Sequence, residues 1–223
     1  SAARDIFRQV LEETPENFPA HHYLGVIAYQ QGEFQTACEY VSRALQIEPK
    51  NPDALNNLGL IFQIQGRTAE AVSVYRSAIE HRPGFSEAHQ NIGHIFQKQG
   101  RLNDAISHYR LAIRSQPNGA DFHCVLGDAL KEASETEQAI QCYRRAISLA
   151  PDHVDALVGL GTILCINERH KEGVSFLRRV IVIDPSRADA HQNLASAYQS
   201  LGLLDDAIQH ARTCVDIAPE MAG

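Results

Sequence analysis

Eleven histidines, five cysteines and recurring columns of acids and amides carry whatever chemistry this 223-residue chain can perform. Histidine and cysteine raise a metal centre first. His21, His89, His123 and His191 stand 34 residues, or a multiple of 34, apart. A bound metal needs its ligands within about 2.0–2.1 Å of one point, which residues on successive structural units do not achieve. Neither H-E-x-x-H nor C-x-x-C occurs, His89 and His94 are five residues apart, and His21 and His22 are adjacent. Adjacent side chains on a helix point in different directions. These histidines therefore read as packing residues, and no metal or cofactor is expected.

The acids are equally regular. Asp53, Glu87, Asp121, Asp155 and Asp189 share one period. A carboxylate at a helix N-terminus complements the helix dipole, and that accounts for the column without a paired-carboxylate active site. The chain has no phosphate-binding loop, no G-x-S-x-G and no glycine-rich dinucleotide turn. No catalysis is expected of this segment. The amides ask for more explanation. Asn57, Asn91 and Asn193 are related by multiples of 34 residues, with Asn56, Gln90 and Gln192 immediately before them. Asparagine is a poor helix-interior residue because its side chain competes for backbone hydrogen bonds. One amide can donate to a peptide carbonyl and accept from a peptide N–H, so a row of them could hold an extended peptide by its backbone. The alternative is that the amides bond between neighbouring repeats.

The elements that must carry these columns are set by the same period. Pro49, Pro83, Pro117, Pro151, Pro185 and Pro219 recur every 34 residues, with Pro15 in the same column. Ala37, Ala71, Ala105 and Ala139 keep the spacing, resumed at Ala207, as do Gly25, Gly59, Gly93, Gly127 and Gly161. Such a period marks stacked helical hairpins. Six units fit without insertion, at 18–51, 52–85, 86–119, 120–153, 154–187 and 188–221, and residues 1–17 fit as the second helix of a truncated unit. In the second unit, Asn51-Pro52-Asp53 supplies an N-cap, a first-turn proline and an acid. Leu55, Leu58, Leu60 and Phe62 form the apolar side of the first helix, and Gly66 allows the turn. Ala71, Val72, Tyr75 and Ala78 continue in a second helix until Pro83. One hairpin cannot bury these residues alone, so neighbours must stack.

Leu58-Gly59, Phe62, Ala71, Tyr75, Ala78 and Pro83, repeated as Ile92-Gly93, Phe96, Ala105, Tyr109, Ala112 and Pro117, closely resemble the tetratricopeptide repeat (TPR) signature. The resemblance covers essentially the whole chain. It implies an all-α, right-handed superhelical solenoid of antiparallel helix pairs, with first helices lining a concave groove. It also implies a non-catalytic scaffold that binds a protein or peptide. Asn57, Asn91 and Asn193 resemble the asparagine ladder of O-GlcNAc-type glycosyltransferases, although Val125 and Gly159 interrupt the row. On that resemblance Asn56, Asn57, Gln90, Asn91, Gln192 and Asn193 are the peptide-binding candidates. A substrate-recruiting arm of a larger enzyme and a self-assembling scaffold are the alternatives. A clamp for terminal carboxylates, as in chaperone-binding relatives, would need Lys or Arg at the second, fifth, sixth or ninth place of a repeat, and none stands there. Cys124, Val125, Val158, Thr162 and Cys165 would make the middle of the groove less polar.

Composition narrows the partners. Net charge is −7, and no basic run exceeds Arg144-Arg145 or Arg178-Arg179, so nucleic acid is not expected. The longest strongly apolar run, Val180 to Ile183, is far too short for a bilayer. An odd number of cysteines without metal spacing fits a reducing, cytoplasmic setting. Three further expectations concern the joints and ends. Gly173, where other units have alanine, predicts a loose joint that Gly173→Ala would stabilise. The final helix, around Ala211, Val215 and Ile217, should be partly uncovered, since Met221-Ala222-Gly223 cannot cap it. Bare ends would permit self-association, or mark excision from a longer protein.

Overall fold

The computed structural model describes residues 2–219. Among them are 13 helices and no strand, arranged as tandem antiparallel pairs. They divide into two compact units, residues 1–116 and 117–223. In the first, α1 (Ala2–Glu13) packs on α2 (Phe18–Gln30). The pairs that follow are α2 with α3 (Phe34–Ile47), α4 (Pro52–Ile64) with α5 (Thr68–His81), and α6 (Ser86–Lys98) with α7 (Leu102–Ser115). The second unit holds α8 (Ala120–Glu132) with α9 (Thr136–Leu149), α10 (Val154–Ile166) with α11 (His170–Ile183), and α12 (Ala188–Ser200) with α13 (Leu204–Ile217). Within each unit the second helix of one pair packs on the first helix of the next.

Local chemistry sets the boundaries. The Asn17 and Asn51 side chains accept hydrogen bonds from Ala20 N and Ala54 N at 2.9 and 3.1 Å, capping α2 and α4. The turn inside each pair needs one residue at positive φ. Gly32, Gly66, Gly100 and Gly202 supply it in four pairs; Ser134 and Glu168, both at φ 62°, take it in α8–α9 and α10–α11. Between paired helices the column of small residues admits one large side chain. Val41, Tyr75, Tyr109, Tyr143 and Leu177 are fully buried, and a Cβ on Gly25, Gly59, Gly93, Gly127 or Gly161 would meet the corresponding one of them.

The packing at Gly173 argues against the loose joint expected there. Gly173 is buried, and a Cβ on it would run into the Cys165 sulfur and lie 2.7 Å from the Gly161 carbonyl oxygen. The glycine allows α10 and α11 to approach closely, with Cys165 filling the space an alanine methyl takes elsewhere. The exposed strip on the final helix is present. Val215 is 43% exposed, Ile217 is 37% exposed, and Ala211 is open to solvent. Met221, Ala222 and Gly223 lie outside the described residues, so the expectation about them is not addressed by the fold.

Candidate peptide-binding face

The amide column lies on the first helices of the pairs, and hydrogen bonds to the preceding pair orient it. Asn57 donates from Nδ2 to His22 Nε2 at 2.8 Å. Asn91 donates from Nδ2 to Asn56 Oδ1 at 3.0 Å. In the second unit Asn193 donates from Nδ2 to Thr162 Oγ1 at 2.8 Å. The alternative of bonding between neighbouring repeats is therefore present in the structure: each of the three amides uses an N–H to brace adjacent repeats. The three side-chain oxygens accept no hydrogen bond among the described residues. Asn56 is buried and serves as the acceptor for Asn91, whereas Gln90 is half-buried and Gln192 exposed. Accepting from Asn57 requires a neutral His22 imidazole with its proton on Nδ1. Burial lowers the His22 pKa, which favours that state against the opposing pull of Asp53.

In the first unit this column begins at Tyr23, half exposed and stacked on Phe7 with ring centroids 5.3 Å apart. Val26 and Leu60 are half-buried beside Asn57, and Ile64, farther along α4, is 49% exposed. At the Gly159 break in the second unit the backbone packs closely on the preceding pair. A Cβ there would meet the ring of Tyr143, whose hydroxyl donates to Asp128 Oδ1 at 2.7 Å. At the equivalent place Asn91 is accommodated beside Tyr75, so it is the placement of the Tyr143 ring, not a tyrosine as such, that fills the space at Gly159. Two of the residues expected to line the middle of the face do not. Cys124 is buried, and burial pushes its thiol up to about 12. Cys165 turns toward Gly173. Val125, Val158 and Thr162 are half-buried.

The histidine column has a bond the spacing alone did not reveal. Nε2 of His21, His89, His123 and His191 donates to the carbonyl of Pro15, Pro83, Pro117 and Pro185, at 2.8, 3.4, 2.9 and 3.1 Å. Each pair is six residues apart, so the Pro-x5-His recurrence was the available signal. With Nε2 donating, Nδ1 is an acceptor. His108 and His210 therefore donate to His89 and His191, with Nδ1–Nδ1 distances of 3.2 and 2.9 Å. Burial holds His108 at a pKa of about 4 and lowers His89 and His210. No three His, Cys, Asp or Glu side chains among the described residues form a metal-ligand group. The acids at the helix starts gain partners as well as dipoles. Arg82 chelates Asp53 at 2.7 and 2.8 Å, Arg187 donates to Asp155 at 2.7 Å, and His153 Nε2 lies 3.0 Å from Asp121.

Family models described as tetratricopeptide repeats match residues 16–84, 124–188 and 188–221, and one described as a TPR repeat matches 93–134. The chain belongs to the tetratricopeptide repeat family. No curated protein matches this TPR chain by sequence. Solved structures share its fold at low identity. YrrB, reported as a TPR protein with an unusual peptide-binding site, is 20% identical with a TM-score of 0.67, over 82% of this chain and 94% of that one. PilF of Pseudomonas aeruginosa is 18% identical with a TM-score of 0.82, over 91% and 92%. The structure of the APC/C hetero-tetramer Cut9–Hcn1 is 17% identical with a TM-score of 0.84, over 98% of this chain and 43% of the other. TPR arrays are typically non-catalytic scaffolds. No helix among the described residues is long and apolar enough to cross a membrane.

Proposed function

We propose that this TPR chain binds protein segments in extended form on the face of its first helices. The amide oxygens of Asn57 and Asn91 in the first unit, and of Asn193 in the second, accept from the ligand's main-chain N–H groups. Gln90 and Gln192 add adaptable amides, and Asn56 braces Asn91. One observation carries the reading: each ladder amide is fixed through its N–H and keeps an unused oxygen. A pre-oriented acceptor loses little entropy when it engages a ligand. Leu60 and Val26 give apolar surface beside Asn57, and Tyr23 adds a half-exposed ring against His22, the partner of Asn57. The peptide-binding site reported for YrrB supports the same use of the fold. The five free cysteines support a reducing compartment, the cytoplasm.

The test uses peptides selected on the chain from a random display library. Asn57→Ala with Asn91→Ala should weaken their binding by roughly 1–3 kcal/mol, at 0.5–1.5 kcal/mol for each hydrogen bond. Unchanged affinity with a lowered melting temperature would leave the amides as struts between repeats and reject the binding role.

A further inference from the structure

Two histidine pairs repeat one arrangement that the amide face does not use. His89 on α6 meets His108 on α7, and His191 on α12 meets His210 on α13. Their Nδ1–Nδ1 distances are 3.2 and 2.9 Å, with ring centroids 5.4 and 5.1 Å apart. The histidine column of successive repeats is spread too widely to share an ion. These pairs instead join two columns, 19 residues apart, within one repeat. In each pair a proline carbonyl, Pro83 or Pro185, accepts the Nε2–H of the first histidine at 3.4 or 3.1 Å. That bond turns the Nδ1 lone pair toward the second ring. A histidine that ligates a metal is normally oriented through its other nitrogen in this way. His89 and His191 are buried, whereas His108 and His210 are half-buried and reach solvent. The α6–α7 copy is internal to the array, so the arrangement does not depend on the end of the chain.

We propose that each pair chelates a divalent transition-metal ion of the zinc class between its two Nδ1 atoms, with water completing the coordination. Imidazole nitrogen suits such ions, and zinc bonds it at about 2.0–2.1 Å. At that length the observed separations subtend about 100–106° at the ion in the first pair and about 87–93° in the second. Tetrahedral zinc asks for about 109°, which the nitrogens reach by parting about half an ångström or less. The half-buried His108 and His210 rings are the ones with room to turn toward the ion. Without the ion, each donates its Nδ1 proton to its partner. Chelation needs both Nδ1 atoms bare, so that proton leaves through solvent, another is taken up at Nε2 of the same ring, and the ring stays neutral. Burial keeps His108 unprotonated at neutral pH, so protons do not compete for it there. The same burial disfavours a cation, and Arg76 near His108 and Arg178 near His210 act in the same sense. Asp104 and Asp206 oppose them, each four residues before the second histidine on the same helix face. An ion at either site ties the first helix of a pair to its second. The sites are separate from the amide column and do not depend on it.

The probe is zinc ion, titrated into the 15N-labelled chain at neutral pH and followed by calorimetry and by NMR of the imidazole nitrogens. The expected result is that His108 and His210 pass from the Nδ1–H to the Nε2–H tautomer while His89 and His191 keep Nε2–H. This readout needs no variant. His108→Gln and His210→Gln, whose amides can still donate to the first histidine, should each weaken one binding equivalent by roughly tenfold or more. The double variant should lose both. Zinc should raise the melting temperature of the unaltered chain and not that of the double variant. Magnesium, which takes oxygen ligands, should produce none of these changes. Tautomers unchanged at saturating zinc, the same stoichiometry and affinity in the double variant, or changes spread evenly over the remaining histidines would overturn the assignment.

Discussion

Gly173→Ala sets a helix-propensity gain against a packing cost within one residue. Removing a glycine from the body of α11 favours the helix by about 1 kcal/mol. The new methyl would be placed 2.7 Å from the Gly161 carbonyl oxygen, 3.2 Å from the Cys165 backbone nitrogen and against the Cys165 sulfur. The sulfur can rotate away, but the two backbone atoms move only if α10 and α11 separate. Overpacking of a core costs about 1–3 kcal/mol, and a backbone obstacle argues for the upper half of that range. The expected net effect is a loss of about 1–2 kcal/mol. Urea denaturation followed by circular dichroism measures it, with the slope checked because repeat arrays can depart from two-state unfolding. Gly84→Ala is the control: its Cβ would meet only the Ser115 side chain at 3.5 Å or more, and a change within about 0.5 kcal/mol is expected. Adding Cys165→Ala to Gly173→Ala should recover only part of the loss, since the carbonyl obstacle remains. A raised denaturation midpoint for Gly173→Ala would refute the close-approach argument and restore the loose joint.

Glu168→Gly should stabilise the chain by about 0.5–1 kcal/mol, because a left-handed backbone costs a residue with a Cβ about 1–2 kcal/mol and glycine recovers most of it; thermal unfolding checks the sign. His108 has its pKa depressed to about 4 by burial, with the neighbouring His89 and Arg76 adding to it. The unfolded chain therefore binds more protons between pH 6.5 and 4, so this stability is complete above about pH 6.5 and is lost as pH falls toward 4. After discounting for partial exposure the loss should be about 1–2 kcal/mol, read as a falling urea midpoint between pH 7 and 4.5. Tyr143→Phe removes the hydrogen bond to Asp128 while keeping the ring over Gly127 and Gly159, and should cost about 0.5–1.5 kcal/mol in the same assay.

The helix pairs were legible because their determinants are local. Asn51, Pro52 and Gly66 act on the backbone within a turn of themselves, and the first helices begin at Phe18, Pro52, Ser86, Ala120, Val154 and Ala188, where the 34-residue frame puts them. The amide and histidine columns could be found in the sequence, but not their hydrogen-bond partners. Asn57 reaches His22 and Asn91 reaches Asn56, each 35 residues away, and that pairing exists only once the pairs have stacked. Gly173 shows the same division most clearly. Its identity signalled a weak helix through intrinsic propensity, which is a property of one chain segment. Its role as the contact with Gly161 and Cys165 depends on the distance between two helices. Ala211 likewise reads as an ordinary helix former until Val41, Tyr75, Tyr109, Tyr143 and Leu177 are seen filling its place elsewhere. Sequence determined the period, the helices and the chemical types on each face, because those follow from short-range backbone preferences. Tertiary structure decided which polar groups are used up, which glycines are compulsory and where space is left, because these depend on packing between residues distant in the chain.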